Sequence, residues 1–225
     1  MTFDGEGHIA VSPQEIERAV RSGELRKLVD HTLLPGTPVA FVTYAEFCSF
    51  VAVVADGLSV HPSSIVFRGS TKIGFSIAPK PEKLWHRPRP DSDIDLVIVD
   101  PDYYHLLDAE VRRWERKTGP RFRGKDYRRS FKLREGRGFY CYRYMDVPNI
   151  ALVQQYEQVV ATASGAPPDG CGRPVRAFFF RDFWALQTRY EYDLRELARG
   201  LANGSLQPGG AMPLDPFEPD VPTQP

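Results

Sequence analysis

The sequence predicts an α/β chain of the α+β kind, with a small mixed sheet, helices flanking it, and added N- and C-terminal helices. Three observations carry this expectation. Short β-rich runs at 64–68, 94–99, 139–145 and 174–180 alternate with longer stretches whose apolar residues recur at helical spacing. A composition of 42% hydrophobic and 26% charged residues is that of an ordinary globular chain, and 225 residues suffice for one domain with a proper core. The longest apolar stretch, 39–54, is interrupted by Thr43, Tyr44, Glu46 and Ser49 and falls short of the ~20 apolar residues a membrane span needs.

The elements follow in order. Ser12-Pro13-Gln14-Glu15 is a helix start, with a hydroxyl at the N-cap, Pro at the first helical position and Glu placed to bond back. That helix is expected to run towards Val29 with a break at Gly23. After the turn Leu34-Pro35-Gly36-Thr37-Pro38, apolar residues at Phe41, Tyr44, Ala45, Cys48, Val51, Ala52 and Ala55 predict a second helix, ending at Asp56-Gly57 and packed along the sheet. The run 64–68 reads as a buried strand closing on Gly69. Residues 94–99 form the clearest strand, and Pro101 opens a helix to about Lys117. A helix over 150–161, a strand over 174–180 and a final helix capped by Asp182 complete the chain, with Gly200 expected at the last helix's end.

The expected organisation is one domain over 1–204: N-terminal helices at 12–57, a central core at 58–146, and helices with a strand at 147–204. Residues 205–225 carry six prolines, acidic residues and no base, the composition of a disordered tail. Asp4 and Glu6 near the N-terminus do not suit a secretory signal. Cys48, Cys141 and Cys171 support neither a disulfide framework nor a zinc site, and a cytoplasmic location is expected. His8, His31, His61, His86 and His105 show no metal spacing.

Net charge is zero but unevenly spread. Residues 112–137 hold Arg112, Arg113, Arg116, Lys117, Arg121, Arg123, Lys125, Arg128, Arg129, Lys132, Arg134 and Arg137 against Glu115, Asp126 and Glu135. Three readings stay open for this stretch: a solvated face, a grip on triphosphate, or a track for single-stranded nucleic acid, with Phe122, Tyr127, Phe131 and nearby tyrosines available for stacking.

Two motifs bear chemistry. Asp93 and Asp95, two residues apart on an apolar strand, point to one face, where two carboxylates without a cation would repel and resist burial. Mg²⁺, or Mn²⁺ in its place, prefers such hard oxygen ligands and shares them with substrate phosphates. Gly69 permits close backbone approach to a phosphate, the Ser70 hydroxyl can donate to it, and Lys72 adds a point charge.

The combination Phe67-Arg68-Gly69-Ser70-Thr71-Lys72 followed by Asp91-Ser92-Asp93-Ile94-Asp95-Leu96-Val97-Ile98-Val99 resembles the polymerase-β nucleotidyltransferase superfamily. Its signature is a strand ending in Gly-Ser and a second strand bearing Asp-x-Asp. Within it the chain is most similar to small bacterial nucleotidyltransferases, some of them linked to phage-defence loci. The likeness covers residues 64–99 closely and the remainder in outline. It implies a polymerase-β-type fold and transfer of a nucleoside monophosphate from a nucleoside triphosphate, ATP among the candidates, to a hydroxyl acceptor. Asp93 and Asp95 would then hold metal, and Gly69, Ser70 and Lys72 the nucleotide. A third catalytic carboxylate is expected on the strand beside the Asp-x-Asp strand. Asp146, at the end of the 139–145 run, is best placed, Asp182 reads as a helix cap and Asp126 lies in the basic stretch; a site with two carboxylates is the alternative. A non-catalytic, antitoxin-like nucleotide-binding partner and a modifier of protein side chains are the competing functions.

The gap of residues 71–92 between the motifs is longer than the superfamily's usual one. It contains Pro79, Pro81, Pro88 and Pro90 with Lys80, Lys83, His86, Arg87 and Arg89, the composition of an extended loop. It reads equally as a basic flap over substrate or a solvated loop. Trp85 within it is a base-stacking platform or a clasp onto the core, and the clasp is favoured.

Overall fold

The computed structural model describes residues 2–3, 7–118, 138–141, 150–165 and 170–206. A two-stranded ladder of β1 (Thr2–Phe3) and β2 (Ile9–Ala10) leads into α1 (Pro13–Ser22), α2 (Leu25–Leu28) and a π-helical turn, Val29–Leu33. Then come α3 (Tyr44–Leu58), a 3-10 turn (Pro62–Ser64), β3 (Ile65–Arg68), the short α4 (Ser70–Ile73), β4 (Ile94–Val99) and α5 (Pro101–Thr118). The remaining elements are β5 (Phe139–Cys141), α6 (Ala151–Ser164), β6 (Val175–Phe180) and α7 (Phe183–Ala202).

Helix starts coincide with the side chains that can cap them. Ser12 and Thr43 each close a capping box, with Glu15 and Glu46 respectively, and the Asp182 carboxylate accepts from the Ala185 amide at 2.7 Å. The first helix does stop at Gly23, where φ is 78°, and resumes as α2. The end of α7 differs from expectation. Gly200 lies inside the helix, with the Leu206 side chain packed against its Cα, and the cap is Asn203. Lack of a side chain at 200 makes room for the returning chain instead of ending the helix.

The main sheet is mixed, in the order β3-β4-β6-β5. β3 runs antiparallel to β4, β6 runs parallel to β4, and β5 is an antiparallel edge on β6. Alternation along the strands divides the core in two. Ile65, Phe67, Ile94, Leu96, Ile98, Ala177 and Phe179 pack with residues of α3, α5 and α6. Val97, Val99 and Phe180 pack on the other side with residues of α1, α2 and α7. Since both faces are covered, β4 is apolar at every position but one, and the exception is Asp95.

The segment between α4 and β4 is anchored. Ser76 and the Trp85-His86 pair exchange two backbone hydrogen bonds, at 2.8 and 2.9 Å, so the chain doubles back on itself. Leu84 and Trp85 are fully buried, and the Trp85 ring lies 5.8 Å from that of Phe75. Trp85 adopts φ 64°, an uncommon backbone conformation for a bulky residue, and its indole N–H has no hydrogen-bond partner among the described residues. Packing sustains both costs, which makes Trp85 a clasp and not an exposed stacking platform. Lys80, Glu82, Lys83, His86 and Arg87 remain exposed around it.

Among the described residues no helix is long and apolar enough to cross a membrane. Residues 119–137, which carry most of the basic stretch, lie outside the described residues, as do Asp146 and residues 207–225. Arg112, Arg113, Arg116 and Lys117 are exposed on α5.

The clasp has a measurable consequence. Trp85→Ala should destabilise the protein by about 3–5 kcal/mol in urea unfolding, the cost of deleting a large buried ring. Glu82→Ala on the same segment should change stability by less than about 0.5 kcal/mol.

Candidate functional site

Pairing of β3 with β4 sets Arg68 opposite Asp95, so the Gly69-Ser70 turn that ends β3 arrives beside the carboxylate-bearing end of β4. The two sequence motifs, separated by residues 71–92, are thus brought into contact. Gly69 has φ 81° and ψ −170°, a region essentially reserved for glycine, and a Cβ there would stand 2.5 Å from an Asp95 carboxylate oxygen. Backbone conformation and space both require glycine. The Ser70 hydroxyl is half-buried and makes no hydrogen bond to a described residue.

β6 completes the row. Its register sets Arg176 beside Asp95, so Arg68, Asp95 and Arg176 cross three neighbouring strands on one line. The Arg176 guanidinium is 2.6 Å from the Asp93 carboxylate. At side-chain exposures of 45% and 27% such a pair contributes about 0–1 kcal/mol and can open readily. Arg68 is held from the far side by Asp193 at 3.1 Å and lies over the ring of Tyr190 at 5.3 Å; Arg189 also binds Asp193, at 2.8 Å.

Asp95 differs from its neighbours. It makes no hydrogen bond or ion pair to a described residue, and burial raises its carboxyl above the usual carboxylate range. The charge of Asp93 acts in the same direction, while Arg68, Arg176 and Lys83 oppose it. A half-buried carboxylate with open lone pairs beside a second carboxylate fits a hard divalent cation, and Asp93 and Asp95 would be its ligands. Among the described residues no group of three potential ligands gathers here.

Two expectations are corrected by this geometry. The strand beside the Asp-x-Asp strand is β6, not the 139–145 run, whose described part, β5, is one strand further out. The register position of β6 next to Asp95 bears Arg176 in place of a carboxylate. Asp146 lies outside the described residues, and Asp182 is the α7 cap, ion-paired to Arg181. Lys72 is directed away from the carboxylates, towards the segment before α3. It is 4% exposed, its ammonium donates to the Gly36 carbonyl, and burial pulls its pKa down to about 7. Lys83 belongs to the stretch that the sequence offers as a basic flap, whereas Arg68 and Arg176 are not expected there as site residues. A lone charge in an otherwise apolar strand marks Arg176 as it marks Asp95, and this signal was present in the sequence.

Comparison with protein-family models, with curated proteins and with solved structures finds no match for this chain.

Because the folded chain raises the Asp95 pKa above its unfolded value, this group favours folding at pH below the unfolded pKa, and that contribution is lost as pH rises through the folded value. Above that window the ionised group is a cost. Asp95→Asn should therefore raise the urea midpoint of the metal-free protein near pH 8, with the gain shrinking towards about pH 4. A gain that does not change with pH would remove Asp95 ionisation as its cause.

Proposed function

We propose that the chain is a magnesium-dependent nucleotidyltransferase with a polymerase-β-type fold, moving a nucleoside monophosphate from a nucleoside triphosphate to a hydroxyl acceptor with release of pyrophosphate. The observation that carries this reading is the contact between the Gly69 turn and the Asp95 carboxylate. It sets a glycine backbone, which a phosphate could approach, beside a carboxylate pair suited to a divalent cation. A glycine turn against a half-buried carboxylate that has no partner among the described residues supports a site for a triphosphate bound with its metal.

In this reading Gly69 admits the phosphates to the backbone, and the free Ser70 hydroxyl donates to them. Asp93 and Asp95 hold the metal, which when bound offsets the negative charge of the triphosphate and of the displaced pyrophosphate. Lys83, whose charge reaches Asp95, brings the basic 79–90 segment close enough to act on the same anion. The acceptor is a nucleotide or oligonucleotide, on the strength of the basic residues at 112–137.

One observation favours a second reading, nucleotide binding without transfer. Arg176 takes the position where the superfamily resemblance calls for a carboxylate, and Asp193 is committed to Arg68 and Arg189. Incubation with each labelled NTP and dNTP in Mg²⁺ or Mn²⁺, followed by separation of products, distinguishes the two. Nucleotidyl product with pyrophosphate release supports the enzyme; binding without turnover supports the alternative.

Asp93→Asn and Asp95→Asn should each lower transfer by at least about 100-fold while the circular dichroism spectrum stays that of the wild type, since charge is removed without volume. Wild-type turnover in either variant places the metal elsewhere. If residues 112–137 track a single strand, the logarithm of its affinity should fall against log salt with a slope near −0.7 for each phosphate contacted. Replacing Arg121, Arg123, Arg128 and Arg129 by Glu should flatten that slope in filter binding. No salt dependence in the wild type would remove the nucleic-acid acceptor.

A further inference from the structure

Arg176 is the only charged residue of β6, whose other members are Val175, Ala177, Phe178, Phe179 and Phe180. Its position is held from both sides. The Val175 amide donates to the Ser164 hydroxyl at 3.1 Å and the Ala177 amide to the Tyr156 hydroxyl at 2.8 Å, so α6 side chains fix the backbone immediately before and after it. From this support the guanidinium reaches Asp93 at 2.6 Å while its side chain keeps 45% exposure. A guanidinium has five donors in a planar fork suited to phosphate oxygens, and contact with one carboxylate leaves most of them open.

A bare cation approaching Asp93 and Asp95 meets three positive charges: Arg68 and Arg176 on either side of Asp95, and Lys83 within electrostatic reach. These oppose the cation and attract a polyphosphate. A cation that arrives with a polyphosphate brings further negative charge, to which Arg176 can pass from Asp93.

We propose that Arg176 is a phosphate-binding residue of this site, stationed on Asp93 in the free protein, so that the site takes a divalent cation together with a polyphosphate in preference to the bare ion. The inference rests on the nucleotide site argued above and specifies how it loads. Arrival of the polyphosphate transfers the guanidinium from Asp93 to phosphate oxygens, which frees the Asp93 carboxylate for the metal. No covalent bond changes in this exchange, and the ion pair it replaces is a weak, half-exposed one.

Calorimetric titration tests the proposal, with MnCl₂ alone, magnesium tripolyphosphate, and the magnesium complexes of ATP, GTP, CTP and UTP as probes. Arg176→Gln and Arg176→Lys are compared with the wild type, and thermal unfolding verifies that both are folded. Arg176→Gln should weaken magnesium tripolyphosphate and triphosphate binding by about tenfold or more, the worth of a charged hydrogen-bonding group. The same change should strengthen Mn²⁺ binding by about two- to fivefold, because the competing ion pair is gone. Arg176→Lys keeps the charge, so its Mn²⁺ affinity should stay at the wild-type level and its polyphosphate affinity should fall between the other two. Opposite movement of the two affinities in Arg176→Gln is the result a merely structural role would not produce. Unchanged polyphosphate affinity in Arg176→Gln, or equal weakening of metal and polyphosphate, overturns the proposal while wild-type binding leaves the nucleotide site standing. A wild type that takes none of the polyphosphate probes overturns both.

Discussion

The Asp95 carboxyl within β4 is the constraint to which the surrounding structure answers. β4 is covered on both faces, and a strand so placed is ordinarily apolar throughout. Putting a carboxylate there costs desolvation, which its raised pKa registers. The neighbouring strands supply partial compensation by charge without contact: Arg68 and Arg176 stand in register on either side, yet each makes its ion pair with another carboxylate, Asp193 and Asp93 respectively. Among the described residues, Asp95 is left with attraction from a distance and no donor on its oxygens. A carboxylate needed only for stability would be expected to collect such donors, since open lone pairs in a half-buried site are expensive. The arrangement stores a cost in the free protein that a bound cation would relieve.

The glycine turn follows from the same carboxylate. Any side chain at 69 would collide with Asp95, so the turn approaches as backbone alone. Covering helices bear on this indirectly. α7 holds Arg68 through Asp193 and Tyr190, while α6 holds β6 through Ser164 and Tyr156. Each arginine beside Asp95 is thus oriented by a different helix, and the charge row is built on rigid elements and not on loops.

Legibility from sequence tracked how local the determining physics is. The strand at 94–99 and the capping residues Ser12 and Asp182 were readable because periodicity and capping are short-range. Asp93, Asp95 and Gly69 were readable as a group because the motifs place unusual residues at the ends of apolar strands. Gly200 was misread because a glycine near a helix end has two uses, a left-handed cap or close packing, and only the return of Leu206 decides between them. The neighbour of β4 was misassigned because strand order is a long-range property: β6, later in the chain than β5, inserts between them. With that order unknown, Arg176 could not be set beside Asp95. Lys72 was read by its chemistry, whereas its burial and its bond to Gly36 are set by tertiary packing.

Buried Lys72 also helps to hold the turn. α4 spans Ser70–Ile73, too short to be stable through its own hydrogen bonds, and needs support from elsewhere. The segment before α3 supplies it: the Val39 and Ala40 amides donate to the carbonyls of Lys72 and Thr71, and the Lys72 ammonium reaches back to Gly36. The Thr71 hydroxyl in turn donates to the Asp93 carbonyl at 3.3 Å, tying α4 to the start of β4. The N-terminal layer is therefore the brace that sets the Gly69-Ser70 turn against the Asp-x-Asp strand. A lysine that bound phosphate would have to leave this brace, and the turn would lose one of the bonds that shape it. Lys72 thus serves as a strut of this brace, while Arg68, Arg176 and Lys83 are the cations whose charge acts on Asp95.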